Sequence, residues 1–207
     1  MREFPHLIGI GLTGGIATGK SEVAALWQGN GAIVVDSDLL ARRALEQGTP
    51  TYRAVVSHFG AGILNADGSI NRAALADIIF SNETERMVLN ELVHPVVRQF
   101  RRQQLAALGT ARAVVVAVVP LLYEAGEQTE FDCVVVVACS EATQLSRLLA
   151  KGLSEPQARA RIAAQWPNTK KMELADYVIW NDGSRRLLAN QAQMVWSFIT
   201  ESRNAPK

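Results

Sequence analysis

The chain has 207 residues, 48% of them hydrophobic and 20% charged, with a formal net charge of +1. That length accommodates one domain with an insertion and a sizeable core, and so even a charge balance gives no sign of nucleic acid or a membrane surface as partner. No apolar run approaches the ~20 residues that span a bilayer, and Met1-Arg2-Glu3-Phe4-Pro5 lacks a signal-peptide core, so the expected location is the cytoplasm.

The first element is an apolar strand over Leu7-Ile8-Gly9-Ile10-Gly11-Leu12, followed by Gly14-Gly15-Ile16-Ala17-Thr18-Gly19-Lys20-Ser21. The second stretch fits G-x-x-x-x-G-K-[ST], in which glycines let the backbone curl until successive amides face one anion. Lys20 is then placed to reach the outer phosphates of a nucleotide, and Ser21 to put a hydroxyl on Mg²⁺. A helix from Lys20 to about Trp27 adds its positive end to the same site. The competing reading is a plain glycine turn with a solvated Lys20; the strand before the loop and the helix after it argue for the phosphate site.

Gly31-Ala32-Ile33-Val34-Val35-Asp36 is a short, continuously apolar run, as expected of a strand covered on both faces. It ends in Asp36-Ser37-Asp38. Ligands of open α/β sheets lie outside the carboxyl ends of the strands, so these acids are expected to face the phosphate loop. One of them can equally cap the helix of Leu39-Leu40-Ala41-Arg42-Arg43.

From Leu39 to about Arg112 no strand is expected. Arg42–Gln47 and Tyr52–Phe59 read as helical and Gly60–Gly68 as a loop. Asn71 and Asn82 cap further helices, and Pro95 opens another. A parallel crossover needs only about a dozen residues, yet roughly seventy or more separate Asp36 from the next strand. Residues 39–111 therefore read as a helical insertion in a core made of 1–38 and 112–207. The insertion is rich in arginine, including Arg42 and Arg72, some of which would hold an anionic acceptor while most solvate helix faces.

Arg112–Val119 and Cys133–Ala138 are the third and fourth strands. Cys133 and Cys139 are six residues apart on one expected strand, ~20 Å when extended and too far for a disulfide. They read as small buried thiols of a reducing compartment. A helix spans Glu141–Lys151, Ser154-Glu155-Pro156-Gln157 is a capping box for a helix to about Gln165, and Trp166-Pro167-Asn168 breaks it. Tyr177–Trp180 is a fifth strand, Asn181-Asp182-Gly183 a turn, and Arg185–Ser202 an amphipathic helix. The whole predicts an α/β architecture: a five-stranded, parallel, doubly wound sheet of the P-loop nucleotide-binding type, with a helical insertion.

Such a loop serves a phosphoryl-transfer enzyme or a nucleotide-controlled switch. The Asn-Lys-x-Asp of guanine-specific switches is missing, and Val115-Val116-Ala117-Val118 lacks the terminal acid of motor ATPases. What remains is a small-molecule kinase, with Lys20 on the transferring phosphoryl and Asp38 on the acceptor hydroxyl proton. Arg147, Lys151, Arg159 and Arg161 are candidates for a lid, about residues 147–174, closing over ATP.

These residues resemble the dephospho-coenzyme A kinases. Gly11 to Ser21 is similar to that family's extended loop and Asp36-Ser37-Asp38 to its paired acids. Further marks match in order: His58-Phe59-Gly60, His94-Pro95, Pro120-Leu121-Leu122-Tyr123-Glu124, Arg161-Ile162, Gln165, Pro167, Lys171, Ala175-Asp176 and Asn181. The resemblance implies transfer of the ATP γ-phosphate to the ribose 3′-hydroxyl of dephospho-CoA, the last step of coenzyme A synthesis. It implies that Gly14, Gly15, Ile16, Ala17, Thr18, Gly19, Lys20, Ser21 and Glu22 bind the nucleotide with Mg²⁺ on Ser21. Arg147 would belong to the lid, and Asn181 would lie near adenine. Asp38 would be the base; Arg42, His58, Phe59, Arg72 and His94 in the insertion, with Pro120, Leu121 and Glu124, would bind the acceptor.

A kinase for another small acceptor and a P-loop regulatory protein are the alternative readings, and the expected assembly is a monomer or weak homo-oligomer. Four positions depart from the family pattern: Ala17 for a usual glycine, Glu22 for threonine, Lys151 for an Arg-Asp pair, and Trp180 for an acid. These changes are expected to weaken ATP affinity without abolishing turnover.

Overall fold

The computed structural model describes residues 3–204; Met1 and Arg2, which begin the N-terminal stretch read above, and residues 205–207 lie outside it. Among the described residues five strands form one sheet: β1 (Leu7–Thr13), β2 (Ile33–Asp36), β3 (Ala113–Val118), β4 (Cys133–Ala138) and β5 (Tyr177–Trp180). All are parallel, in the order β2-β3-β1-β4-β5. The helices are α1 (Lys20–Gly29), α2 (Ser37–Ala44), α3 (Pro50–Phe59), α4 (Arg72–Ser81), α5 (Glu83–Ala106), α6 (Glu141–Ala150), α7 (Glu155–Ala163), α8 (Asn168–Glu173) and α9 (Arg185–Asn204). The chain divides into two compact units, Met1–Asp36 with Thr110–Lys207, and Ser37–Gly109.

In the first unit the continuous apolar runs are strands because both faces of the sheet are covered. Ile10, Leu12, Val116, Val118, Val135 and Val137 pack on one side with Val23 and Trp27 of α1 and Leu188, Ala192 and Val195 of α9. Ala117, Val134, Val136 and Ala138 pack on the other with Leu122, Tyr123 and Phe131. Trp27 is fully buried, and its indole Nε1 donates to the Ala192 carbonyl at 2.9 Å, joining the first helix to the last. Truncating such a ring to alanine costs about 3–5 kcal/mol.

Two aspartates extend the ladder where β4 and β5 start. Asp132 Oδ2 accepts from the Gly9 amide at 2.7 Å while its own amide donates to the Gly9 carbonyl at 2.8 Å. Asp176 does the same for Val134, at 2.7 and 3.0 Å. Each carboxylate replaces a backbone acceptor that a neighbouring strand would otherwise supply.

The register sets the site. Leu12 of β1 and Asp36 of β2 both pair with Val118 of β3, and Thr13 pairs with Val136 of β4. The phosphate loop thus leaves the middle strand at the level where Asp36 ends β2, two strand spacings or ~10 Å away.

The second unit is all helical apart from a 3₁₀ turn at Ala61–Ile63 and an antiparallel bridge between Leu64 and Ile70. Val55, Ile63, Ile70 and Leu75 form its centre, with Leu89 and Leu92 against them. Asn71 and Asn82 cap α4 and α5, as their positions predict. Helix α2 ends at Ala44, short of the expected Gln47, and two further boundaries differ from expectation. Helix α3 starts at Pro50 rather than Tyr52, because Thr49 accepts from the Tyr52 amide at 3.0 Å and proline suits the first helical turn. Pro95 does not open a helix: α5 runs unbroken through it for 24 residues. Proline removes one backbone donor and crowds the preceding turn, and burial of Val93 and Val97 on either side holds the helix together across it.

The expected break at Trp166-Pro167-Asn168 is partly a helix start. After α7, whose capping box is present, Pro167 leads into α8, a six-residue helix that periodicity was too short to reveal.

Candidate active site

The loop between β1 and α1 takes its shape from three residues with positive φ, Gly14 at 141°, Ala17 at 60° and Gly19 at 103°. Two of them are glycines for a second reason. A Cβ on Gly14 would lie 2.0 Å from the Val137 carbonyl oxygen, and one on Gly19 2.3 Å from Asn181 Nδ2. Ala17 is the single non-glycine residue with positive φ among those described, so the methyl group at this departure from the family pattern sits in a strained backbone costing roughly 1–2 kcal/mol.

Every carbonyl from Gly14 to Thr18 accepts a side-chain donor. Lys20 Nζ donates to Gly14 O at 2.9 Å and Gly15 O at 2.8 Å, and Thr18 Oγ1 also donates to Gly15 O at 2.9 Å. Gln144 Nε2 donates to Ile16 O at 2.7 Å, Arg147 to Ala17 O at 3.0 Å, and Asn181 Nδ2 to Thr18 O at 2.8 Å. In a planar trans peptide the N–H points opposite to the C=O. Carbonyls held toward the supports therefore turn the amides of Ala17 and Gly19 the other way, which is the arrangement an anion needs.

Arg147 bridges the loop and the β5 end, since it also donates to Asn181 O at 2.9 Å. Asn181 itself is buried. Ser21 is exposed in the first turn of α1, and Glu22 beside it pairs at 3.4 Å with the exposed Arg185. Cys139, buried at the end of β4, has its thiol pKa raised by desolvation, with Arg147 and Lys20 pulling the other way. The two cysteines are free.

The turn after β3 holds a second polar cluster. Pro120 O accepts from Thr13 Oγ1 at 3.3 Å and from Lys171 Nζ at 3.1 Å. Lys171 is fully buried, and its ammonium lies 2.8 Å from Glu124 Oε1, which also accepts from the Trp166 amide at 2.9 Å. Burial lowers the Lys171 pKa, against the attraction and hydrogen bond of Glu124. Burial, helped by the Asp176 charge, pushes Tyr123 up to about 12. Leu121 is half-buried in the same turn. The sequence marked Lys171 as part of the family pattern but gave it no task; a lysine one turn past Trp166-Pro167 carries no local signal of burial.

In the helical unit Asp38 is exposed within the first turn of α2, which begins at Ser37, so it is not the cap. Arg42 is exposed on α2 and Arg72 at the start of α4. His58 Nε2 lies 2.7 Å from Glu85 Oε2, and the His58 and Phe59 rings meet edge-on at 4.7 Å. His94 is half-buried within α5. Arg101, one of the insertion arginines that could hold an anionic acceptor, is fully enclosed at 2% exposure on the same helix; nothing in the pattern Arg-x-x-Arg-Arg tells a buried arginine from a solvated one.

A parallel sheet whose central strand runs into a supported phosphate loop, with a lysine folded onto that loop, defines a P-loop nucleotide-binding protein. A family model described as dephospho-CoA kinase matches residues 8–186. A dephospho-CoA kinase of Geobacillus kaustophilus is 47% identical over 178 residues, 85% of this chain and 89% of that protein. Of solved structures, the Thermus thermophilus protein TT1252 superposes with a TM-score of 0.79 at 31% identity, over 97% of this chain and all of that one. A dephospho-CoA kinase from Campylobacter jejuni shares the fold, with a TM-score of 0.68 over 95% of this chain and 99% of that one at 23% identity. The chain belongs to the dephospho-CoA kinase family and is a phosphotransferase. No helix among the described residues is long and apolar enough to cross a membrane.

Proposed function

We propose that the protein transfers the γ-phosphoryl group of ATP to the ribose 3′-hydroxyl of dephospho-CoA, giving coenzyme A and ADP. The observation that carries this is the phosphate loop with each carbonyl from Gly14 to Thr18 tied down by a side chain, in a member of this family. Amides fixed before the nucleotide arrives need no reorganisation as charge develops on the phosphoryl oxygens.

The amides of Ala17 and Gly19, with the N-terminus of α1, bind the phosphates, and Lys20 meets the transferring group. The rest of the loop, Gly14, Gly15, Ile16 and Thr18 with Glu22, walls this site, and Asn181 and Arg147 set its adenine side. Mg²⁺, when it comes with ATP, neutralises phosphate charge; the exposed Ser21 hydroxyl is an oxygen donor suited to a hard cation that takes most of its ligands from phosphate and water. Asp38 accepts the proton of the acceptor hydroxyl. Arg42, His58, Phe59, Arg72 and His94 bind the acceptor from the insertion. Pro120, Leu121 and Glu124 bind it from the core, where Glu124 Oε2 is buried with no hydrogen-bond partner among the described residues.

The lid is narrower than residues 147–174. Arg147, Gln165, Asn168 and Lys171 are all bonded to the loop or the β3 turn, so the segment that closes is α7 and its flanks, carrying Lys151, Arg159 and Arg161. Arg159 has its own partner in Glu155 at 2.7 Å, an exposed pair that costs little to break. The protein works in the cytoplasm as a monomer or weak homo-oligomer.

ADP formation from Mg-ATP by the purified protein, with dephospho-CoA compared against AMP, shikimate and no acceptor, tests the reading. Turnover dependent on dephospho-CoA is expected. Turnover with another acceptor alone overturns the acceptor assignment, and nucleotide binding without turnover makes the protein a regulatory one.

A further inference from the structure

The corner between α7 and α8 touches the phosphate loop at two amides. Gln165 Oε1 accepts from the Ile16 amide at 2.7 Å and Asn168 Oδ1 from the Gly15 amide at 3.0 Å. These N–H groups belong to the two peptide units whose carbonyls, Gly15 O and Gly14 O, accept from Lys20 Nζ. Each peptide plane is thus held from both ends, by the corner on one side and by the Lys20 ammonium on the other. Hydrogen bonds in such a chain polarise one another.

Asn168 is itself fixed, since its Nδ2 donates to Cys139 O and to Gln144 Oε1, both at 3.1 Å. The fit also explains Gly15, whose φ is ordinary. A Cβ there would lie 2.6 Å from Gln144 Nε2 and 2.7 Å from Asn168 Oδ1, so the glycine is needed for side chains to close on the backbone.

We propose that Gln165 and Asn168 are positioning residues for Lys20: through the 14–15 and 15–16 peptides they set where the ammonium meets the transferring phosphoryl group. The inference rests on the kinase reading above. It divides the loop in two. The rear half, with the Thr18 and Ala17 carbonyls on Asn181 and Arg147, holds the phosphates that remain on ADP. The front half, with Gln165 and Asn168, serves the transfer step. Displacing a reacting partner by about 1 Å can cost ~10²-fold in rate, whereas ADP, which lacks the transferring group, meets Lys20 only at its β-phosphate and loses less.

Gln165→Met keeps the shape of the side chain and removes the acceptor; Gln165→Ala is the second variant should methionine fail to fold. The expected result is a kcat for dephospho-CoA-dependent ADP formation about tenfold or more lower, a Kd for Mg-ADP changed by a several-fold smaller factor, and a displaced ¹⁵N resonance of Lys20 Nζ. Asn168→Ala should move kcat the same way with a larger loss of stability, because Gln144 also loses a partner. A kcat within about twofold of wild type, or kcat and Mg-ADP affinity falling by the same factor, overturns the proposal. If the wild type fails to phosphorylate dephospho-CoA, the functional reading falls by itself, and the Lys20 resonance then decides: unmoved in Gln165→Met, it overturns this inference as well.

Discussion

The Lys171 ammonium, with no exposed surface, lies 2.8 Å from the Glu124 carboxylate. That pair ties α8 to the turn after β3, and both partners have further bonds: Lys171 to Pro120 O at 3.1 Å and Glu124 to the Trp166 amide at 2.9 Å. Removing one charge leaves the other buried alone, which costs about 3–5 kcal/mol. Lys171→Met is expected to lower the Tm by roughly 10 °C. Lys171→Met/Glu124→Gln should recover a large part of that loss, since glutamine still accepts from Trp166. A double variant no more stable than the single one would show that the pair acts only through packing.

Tyr123 gives the molecule an alkaline limit. Its phenol is raised to about 12, first by burial and then by the Asp176 charge. The unfolded chain ionises tyrosine near pH 10, so between pH 10 and about 12 the unfolded state has released a proton that the folded state retains, and stability falls as pH rises. Lys171 works in the opposite direction: its folded pKa lies below that of the unfolded chain, so its contribution rises with pH up to about 10.5. In Tyr123→Phe the fall assigned to tyrosine should vanish from urea titrations across this window, with stability at pH 7 within about 1 kcal/mol of wild type. A slope unchanged by the substitution would assign the alkaline loss to other groups.

Ala17→Gly relieves the one non-glycine residue with positive φ among those described. The relief, less the extra chain entropy of glycine, amounts to up to about 1 kcal/mol, or a Tm higher by about 2–4 °C. Combined with Glu22→Thr it should also lower the apparent KM for ATP, as the carboxylate beside the phosphate site is removed. Because Arg185 already faces Glu22 at 3.4 Å on the surface, that electrostatic share should fade as salt is added. An unchanged KM at low salt would remove the idea that these two positions weaken ATP binding.

Asp38→Asn should reduce kcat by about 10²–10⁴-fold, the usual contribution of a positioned base, with Mg-ATP binding retained in calorimetry. Near-normal turnover would show that Asp38 only places a charge in the first turn of α2.

Much of this molecule is written locally. The strands are legible because a parallel sheet covered on both faces demands unbroken apolar runs, and β1, β3 and β4 have them. The caps at Asn71, Asn82 and Ser154 are legible because one side chain satisfies amides two or three residues away. The phosphate loop is legible because its glycines, Lys20 and Ser21 are consecutive. Helix α8 and the passage of α5 through Pro95 escaped, since six residues are too few to show a period and a proline penalty can be offset by burial elsewhere.

The supports of the loop were decided by tertiary structure alone. Gln144, Arg147, Gln165, Asn168 and Asn181 come from segments well over a hundred residues away from the carbonyls and amides they hold. In the sequence Gln144 and Asn168 are ordinary polar residues, and Arg147, Gln165 and Asn181, though singled out as a lid candidate and as family marks, carry no local sign that they hold this loop. The parallel order of the sheet puts β4 and β5 beside β1, and with them the helices that follow, so that side chains remote along the chain close on one loop. Local pattern determines which peptides can curl around an anion; only the packed sheet determines what keeps them curled.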